Sequence, residues 1–147
     1  MITLNEQDAG LVRDGKKWQL RLPIHPQPLH IASEDLFGNA TGESVIWDPA
    51  GSSPISPEEL TSLCPHAQAG QRFVAQVSLP YQKQESLGLL CKSIRVERLE
   101  AISDRDLLAE GGRNWTVFAS NWGDLHGRAG YPVVANPSVW VIEFALA

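Results

Sequence analysis

The sequence predicts an α+β fold built on a small barrel or curled sheet with flanking short helices. Three observations carry that expectation. Short stretches alternate apolar and polar residues, capped helical stretches fall between some of them, and no regular strand-helix-strand order links them. A chain of 147 residues with 43% hydrophobic and 20% charged residues can bury one core, so a single domain over 1–147 is expected rather than a disordered or fibrous chain.

In chain order, Asn5 caps a helix running to about Asp14, with Leu11 and Val12 facing inward and Gly15 ending it in the left-handed conformation. From Lys17 to Leu22 the period falls to two. Trp18, Leu20 and Leu22 share one face and Lys17, Gln19 and Arg21 the other, the pattern of a half-buried strand. Pro23, Pro26 and Pro28 stop it, and the chain to Gly42 reads as irregular with at most a short strand. Glu43 to Trp47 reads as a strand and Asp48 to Pro54 as a loop. Ser56-Pro57-Glu58-Glu59 offers a capping box with proline at the first helical position, and Cys64-Pro65 keeps that helix short.

Arg72 to Leu79 alternates Phe73, Ala75, Val77 and Leu79 against Arg72, Val74, Gln76 and Ser78, which predicts a strand rich in β-branched and aromatic residues. Ser93 to Leu99 predicts another. Ile102 to Asp106 carries an N-cap and first-turn acids, opening a helix through Leu107, Leu108 and Glu110 to the Gly111-Gly112 stop. Trp115 to Trp122 reads as a second helix feeding a loop at Gly123, Gly127 and Gly130, and Val139 to Leu146 as the closing strand.

Lys+Arg number 12 against Asp+Glu 17, a formal net charge of -5, so no global basic field supports non-specific duplex binding, although a local basic groove is compatible with it. The first residues carry early acids and no apolar leader. The longest apolar run, Val139 to Ala147, is broken by Glu143 and falls far short of the ~20 residues of a membrane span. A soluble, cytoplasmic protein with no membrane partner is expected. Cys64 and Cys91 are too few for a disulfide framework and form no CxxC pair, so both read as structural. His25, His30, His66 and His126 are scattered, and Cys64 beside His66 falls short of the roughly four ligands of a zinc site. No metal and no cofactor is expected. The GxSxG elbow, GxxxxGK[ST] and GxGxxG are absent, which removes those hydrolase and phosphate-loop classes. Trp47, Trp115, Trp122 and Trp140 read as core.

Two places carry candidate chemistry. Gly15-Lys16-Lys17-Trp18-Gln19-Leu20-Arg21 joins cations to an aromatic ring at a helix-to-strand junction, a set that can hold phosphate and stack a base. The same residues also fit a solvated face whose lysines cover apolar surface. Glu110 ends a helix, where a carboxylate opposes the macrodipole. That placement fits a base or a lysine partner, and equally an exposed glutamate without a role.

At these residues the chain resembles the ASCH domain of the PUA-like superfamily, in particular small ASCH-like proteins of bacteriophages and prophages. Gly15-Lys16-Lys17-Trp18-Gln19-Leu20-Arg21-Leu22 lies on the family's glycine-basic-lysine-Thr-x-Thr-Arg-Arg signature. Cys64-Pro65-His66 with Gly70-Gln71-Arg72 resembles its approach to a strand, Val96 to Ser103 through Ala109-Glu110-Gly111 its strand-to-helix element, and Asn136 to Phe144 its closing strand. The resemblance implies a PUA-like β-barrel with a cleft beside the first helix. It also implies RNA or nucleotide ligands and, in some small members, amide hydrolysis of acylated cytidine by a lysine, a threonine and a glutamate.

Carried over by position, the lysine is Lys17 and the glutamate Glu110, but the threonine falls on Leu20, which has no nucleophilic atom. Leu22 replaces a second arginine, Val77 stands where many phage members carry glutamate, and Trp18 enlarges a small or polar position. The expected function is binding of RNA, a nucleotide or a modified nucleoside in a pocket lined by Lys16, Lys17, Trp18, Gln19, Arg21 and Glu110, without the family's hydrolysis. Two alternatives stand beside it. One is a divergent amidohydrolase, with water activated by Glu110 or with Ser78 as a substitute nucleophile. The other is a cleft repurposed to bind or inhibit a host or phage protein.

Overall fold

A computed structural model describes residues 2–34, 36–38, 40–51 and 53–147. The expected α+β class is observed, as a curled half-barrel sheet with a few short helices. Five strands form that sheet: β1 (Ile2–Leu4), β2 (Gln19–Pro23), β5 (Arg72–Ser78), β6 (Gln84–Arg98) and β7 (Ser138–Leu146), in the order β1-β5-β6-β7-β2. Among the described residues only β1 and β5 pair in parallel. A separate hairpin pairs β3 (Leu29–Glu34) with β4 (Ala40–Ile46). The segment before Gly42 therefore holds a six-residue strand and the start of another, more than the irregular chain with a short strand that was expected; the prolines end with Pro28, and from Leu29 onward pairing with β4 organises the backbone.

The helices begin where local chemistry places them. The Asn5 side chain accepts from the Asp8 backbone N–H and caps α1 (Glu6–Arg13), Ser56 does the same for α2 (Pro57–Thr61), and Ser103 and Asp106 form a reciprocal capping box on α3 (Asp104–Ala109). Asn114 caps α4 (Trp115–His126), which runs past the expected end at Trp122 and takes Gly123 into the helix instead of a loop.

Register places two different environments on the two sides of the sheet. Leu20 pairs with Ile142 and Leu22 with Trp140, and these four side chains join Ile94, Val96, Phe144 and the β1 and β5 residues in the main core. On the opposite face, Gln19 pairs with Glu143 and Arg21 with Val141. That face is covered as well: Leu99, Phe118, Trp122, Val139 and Val141 form a second, smaller apolar cluster under α4. The alternation holds from Gln19 to Leu22, whereas Lys17 and Trp18 precede the strand and Trp18 lies outside the main core; the half-buried reading is also corrected. Lys17, Gln19 and Arg21 are 4%, 0% and 4% exposed, because α3 lies over them and supplies partners. Trp47, Trp122 and Trp140 are core, whereas Trp115, at the start of α4 with its ring against Phe118, is 37% exposed.

Candidate functional site

The site lies where the curled sheet fails to close. β1 and β2 are its two edges, and a cavity of about 40 Å³ sits between them, lined by Thr3 and Leu4 from one edge and Lys17, Leu20, Arg21 and Leu22 from the other. Asp8, Glu110, Phe118 and Asn121 complete it from the helices. Such a volume holds water but not a base ring.

Local backbone bonds set Lys17 at this point. Gly15 adopts φ +72 after the helix, and the Lys16 and Lys17 N–H groups both donate to the Leu11 carbonyl. Trp18 N–H then donates to the Ala109 carbonyl, which ties the start of β2 to the end of α3. With those ends joined, the Lys17 ammonium reaches the Glu110 carboxylate at 2.5 Å and its carbonyl at 3.3 Å. Burial pushes the Glu110 carboxyl above its ordinary range, and the charges of Lys17, Arg21 and Arg113 oppose that rise. One Glu110 oxygen, Oε1, and one Arg21 nitrogen, Nη1, are buried without a hydrogen-bond partner, while Arg21 Nε lies 3.9 Å from that same Oε1.

An ion network continues away from the cavity. Asp106 accepts from Gln19 at 3.0 Å, Arg21 at 3.1 Å and Arg95 at 2.7 Å. Burial alone would raise the Asp106 carboxyl, but bonds from Gln19, Ser103 and Arg95 outweigh it and hold the group well below the carboxylate range. Glu143 is lowered chiefly by its 2.9 Å bond from Arg105. Arg21 also pairs with Glu97, and Arg113 with Asp8.

The residues expected in one pocket are divided. Lys17, Arg21 and Glu110 line the seam cavity together with Leu20. Trp18 lines a different cleft, which shares only Lys17 with it. Gln19 is fully buried and spent on Asp106 and Glu143, and Lys16 is exposed and lines neither space. Ser78 is exposed and lines another cavity, with Leu125 and His126, so it does not face Lys17 there. Val77 is fully buried in the main core. Thr3 and Asn121 were missed, since neither the edge pairing of a three-residue strand nor the placement of α4 leaves a local mark in the sequence.

A second polar constellation has the order of a hydrolase triad. Ser138 Oγ and His30 Nε2 are 2.7 Å apart, and His30 Nδ1 contacts the Glu43 carboxylate. Ser138 is 0% exposed, which leaves its hydroxyl without access to solvent, and its backbone N–H donates to Gln27 Oε1 at 2.7 Å. The relay pins the β3-β4 hairpin to β7. Cys64 and Cys91 are free and buried, each thiol pushed up by burial. Among the described residues no group of three or more metal-ligating side chains converges, and no helix is long and apolar enough to cross a membrane. No family model, no curated protein and no solved structure matches the chain, so the resemblance to ASCH domains rests on its own residues.

Proposed function

We propose that this chain is a PUA-like protein of phage or prophage type that binds RNA, a nucleotide or a modified nucleoside through a base edge at the seam, without hydrolysing it. One observation carries the reading: an acceptor, Glu110 Oε1, and a donor, Arg21 Nη1, are buried without hydrogen-bond partners among the described residues, and both residues line one cavity. Buried polar atoms without partners are costly, and a base edge that offers a donor and an acceptor satisfies both. Leu20 occupies the same wall, and its hydrocarbon side chain supplies no nucleophile. A base ring needs more room than the cavity has, so α4 yields on entry. That helix is held by its own small apolar cluster rather than by the main core.

Titration calorimetry with cytidine, acylated cytidine and short single-stranded RNA tests the proposal. Binding of one of these probes is expected, weakened in Lys17→Ala and in Asn121→Leu, which fills the cavity from a half-buried position on α4. Absence of binding across all three probes by the folded wild-type protein overturns it.

A second reading, hydrolysis by water that Glu110 activates, is favoured by Glu110 Oε1, which has no hydrogen-bond partner among the described residues and belongs to a residue that lines the cavity. Deacylation of acylated cytidine by the wild-type protein supports it, and zero turnover beside an active amidohydrolase control removes it.

A further inference from the structure

A cleft of about 470 Å³ opens on the other side of Lys17, and its lining combines two kinds of surface. Val12, Trp18, Phe144 and Leu146 make an apolar wall, and Arg13, Lys92, Arg105 and Glu143 bring charge. Most of that charge is already matched. Arg13 pairs with Glu85 at 2.7 Å, Arg105 with Glu143 at 2.9 Å and Lys17 with Glu110 at 2.5 Å. Lys92 has no ion-pair or hydrogen-bond partner among the described residues. The cleft therefore carries one uncompensated positive charge.

The backbone puts that charge there. Cys91 pairs with Phe144 and Ser93 with Glu143, so the β6 ladder slips at Lys92, which has no register partner on β7. A bulge of this kind turns a side chain out of the alternation, and bulges recur beside binding sites. Phe144 and Glu143, the two β7 residues flanking the slip, themselves line the cleft. Beside Phe144, the Trp18 carbonyl accepts from Phe144 N–H at 2.9 Å, which fixes the backbone that bears the indole.

We infer that this cleft binds a planar aromatic ring bearing a phosphate, the ring against Trp18 and the phosphate on Lys92. Its volume falls within the range of small-ligand sites, an indole offers a flat stacking partner, and a single free ammonium selects an anion. The inference is independent of the base-edge reading at the seam, because the two spaces share only Lys17, and neither Trp18 nor Lys92 belongs to the seam.

Calorimetric titration at low salt with methylumbelliferyl phosphate, methylumbelliferone, uridine monophosphate and inorganic phosphate tests it. The aryl phosphate or the nucleotide is expected to bind about tenfold or more tighter than either the bare ring or inorganic phosphate, as one charge-assisted contact requires. Which of the two binds tighter identifies the source of the ring. Lys92→Gln, at an exposed position, is expected to lower that affinity about tenfold, and Lys83→Gln, an exposed lysine outside the cleft, to leave it unchanged. Trp18→Leu, checked for folding by thermal unfolding, removes the advantage of the ring over inorganic phosphate. Equal binding by wild type and Lys92→Gln, or no binding of either ring-bearing phosphate, overturns the inference.

Discussion

The Lys17 ammonium and the Glu110 carboxylate meet at 2.5 Å across 93 residues of chain, each side chain 4% exposed. Removing both charges from water costs several kcal/mol per ion by order of magnitude, and one bond between them offsets that only in part. Glu110 Oε1 adds to the deficit, since it is buried with no partner. The pair is therefore an arrangement that stability alone does not favour. Glu110 and Arg21, which carry the unbonded atoms, both line the cavity at the seam.

That balance separates single from double substitutions. Lys17→Met is expected to destabilise the protein by about 3–5 kcal/mol, because it strands a buried carboxylate, whereas Lys17→Met with Glu110→Leu regains most of the loss. Denaturant unfolding measures both. A single substitution that costs under ~1 kcal/mol would mean that the pair is solvated rather than buried.

Leu20 stands on the cavity wall with Lys17 and Glu110, at the position where the resembling family carries threonine. Leu20→Thr is expected to cost about 1–3 kcal/mol by burying a hydroxyl and losing apolar volume. If the base-edge reading holds, it also gives measurable deacylation of acylated cytidine where the wild type gives none. Product release followed by chromatography checks this, and a folded Leu20→Thr protein with no turnover on a bound substrate counts against the family's chemistry at this site.

Asp106 gathers Gln19, Arg21 and Arg95 and is held below the usual carboxylate range in the folded protein. A depressed folded value means that the unfolded chain binds the proton first. The stabilisation is therefore complete above the unfolded value of about 4 and is lost as pH falls from there through the folded value. Asp106→Asn is expected to cost about 3 kcal/mol at neutral pH and progressively less in acid. Unfolding midpoints between neutrality and about pH 3 would show the two proteins converging, and a gap independent of pH would exclude this origin.

How much of this was legible depends on how local each cause is. Asn5, Ser56 and Ser103 mark helix starts because a cap is satisfied within three residues, and all three helices begin where those residues predict. The first half of β6 was not read: Gln84 to Cys91 contains Gly88 and three leucines at uneven spacing, and only its pairing with β5 makes it a strand. The alternation separated two faces correctly from Gln19 to Leu22, where the strand runs, but a period of two does not say whether water or a helix covers the polar one. Lys17 and Glu110 were paired through a family resemblance, whereas Lys92 carries no mark at all. Its direction is set by a register slip against β7, which exists only once the strands are paired.

Gly111 tests the joint that brings Glu110 to Lys17. It follows Glu110 directly with φ +121, and a Cβ placed there would lie 2.9 Å from Leu11 Cδ1, the side chain of the residue whose carbonyl accepts from Lys16 and Lys17. The Leu11 methyl is the end of a side chain that can rotate aside, so the positive φ dominates and Gly111→Ala is expected to cost about 1–3 kcal/mol. Gly112 also has positive φ, at +73, but a Cβ there meets nothing within 4 Å. Gly112→Asn, which tolerates the left-handed region, is expected to cost under ~1 kcal/mol. If the Gly111 turn positions the acid, Gly111→Ala also weakens binding at the seam by more than its Tm change explains, while Gly112→Asn leaves binding intact. Thermal unfolding and calorimetry on the two variants, read together, distinguish a joint that aims Glu110 from a turn that only ends a helix.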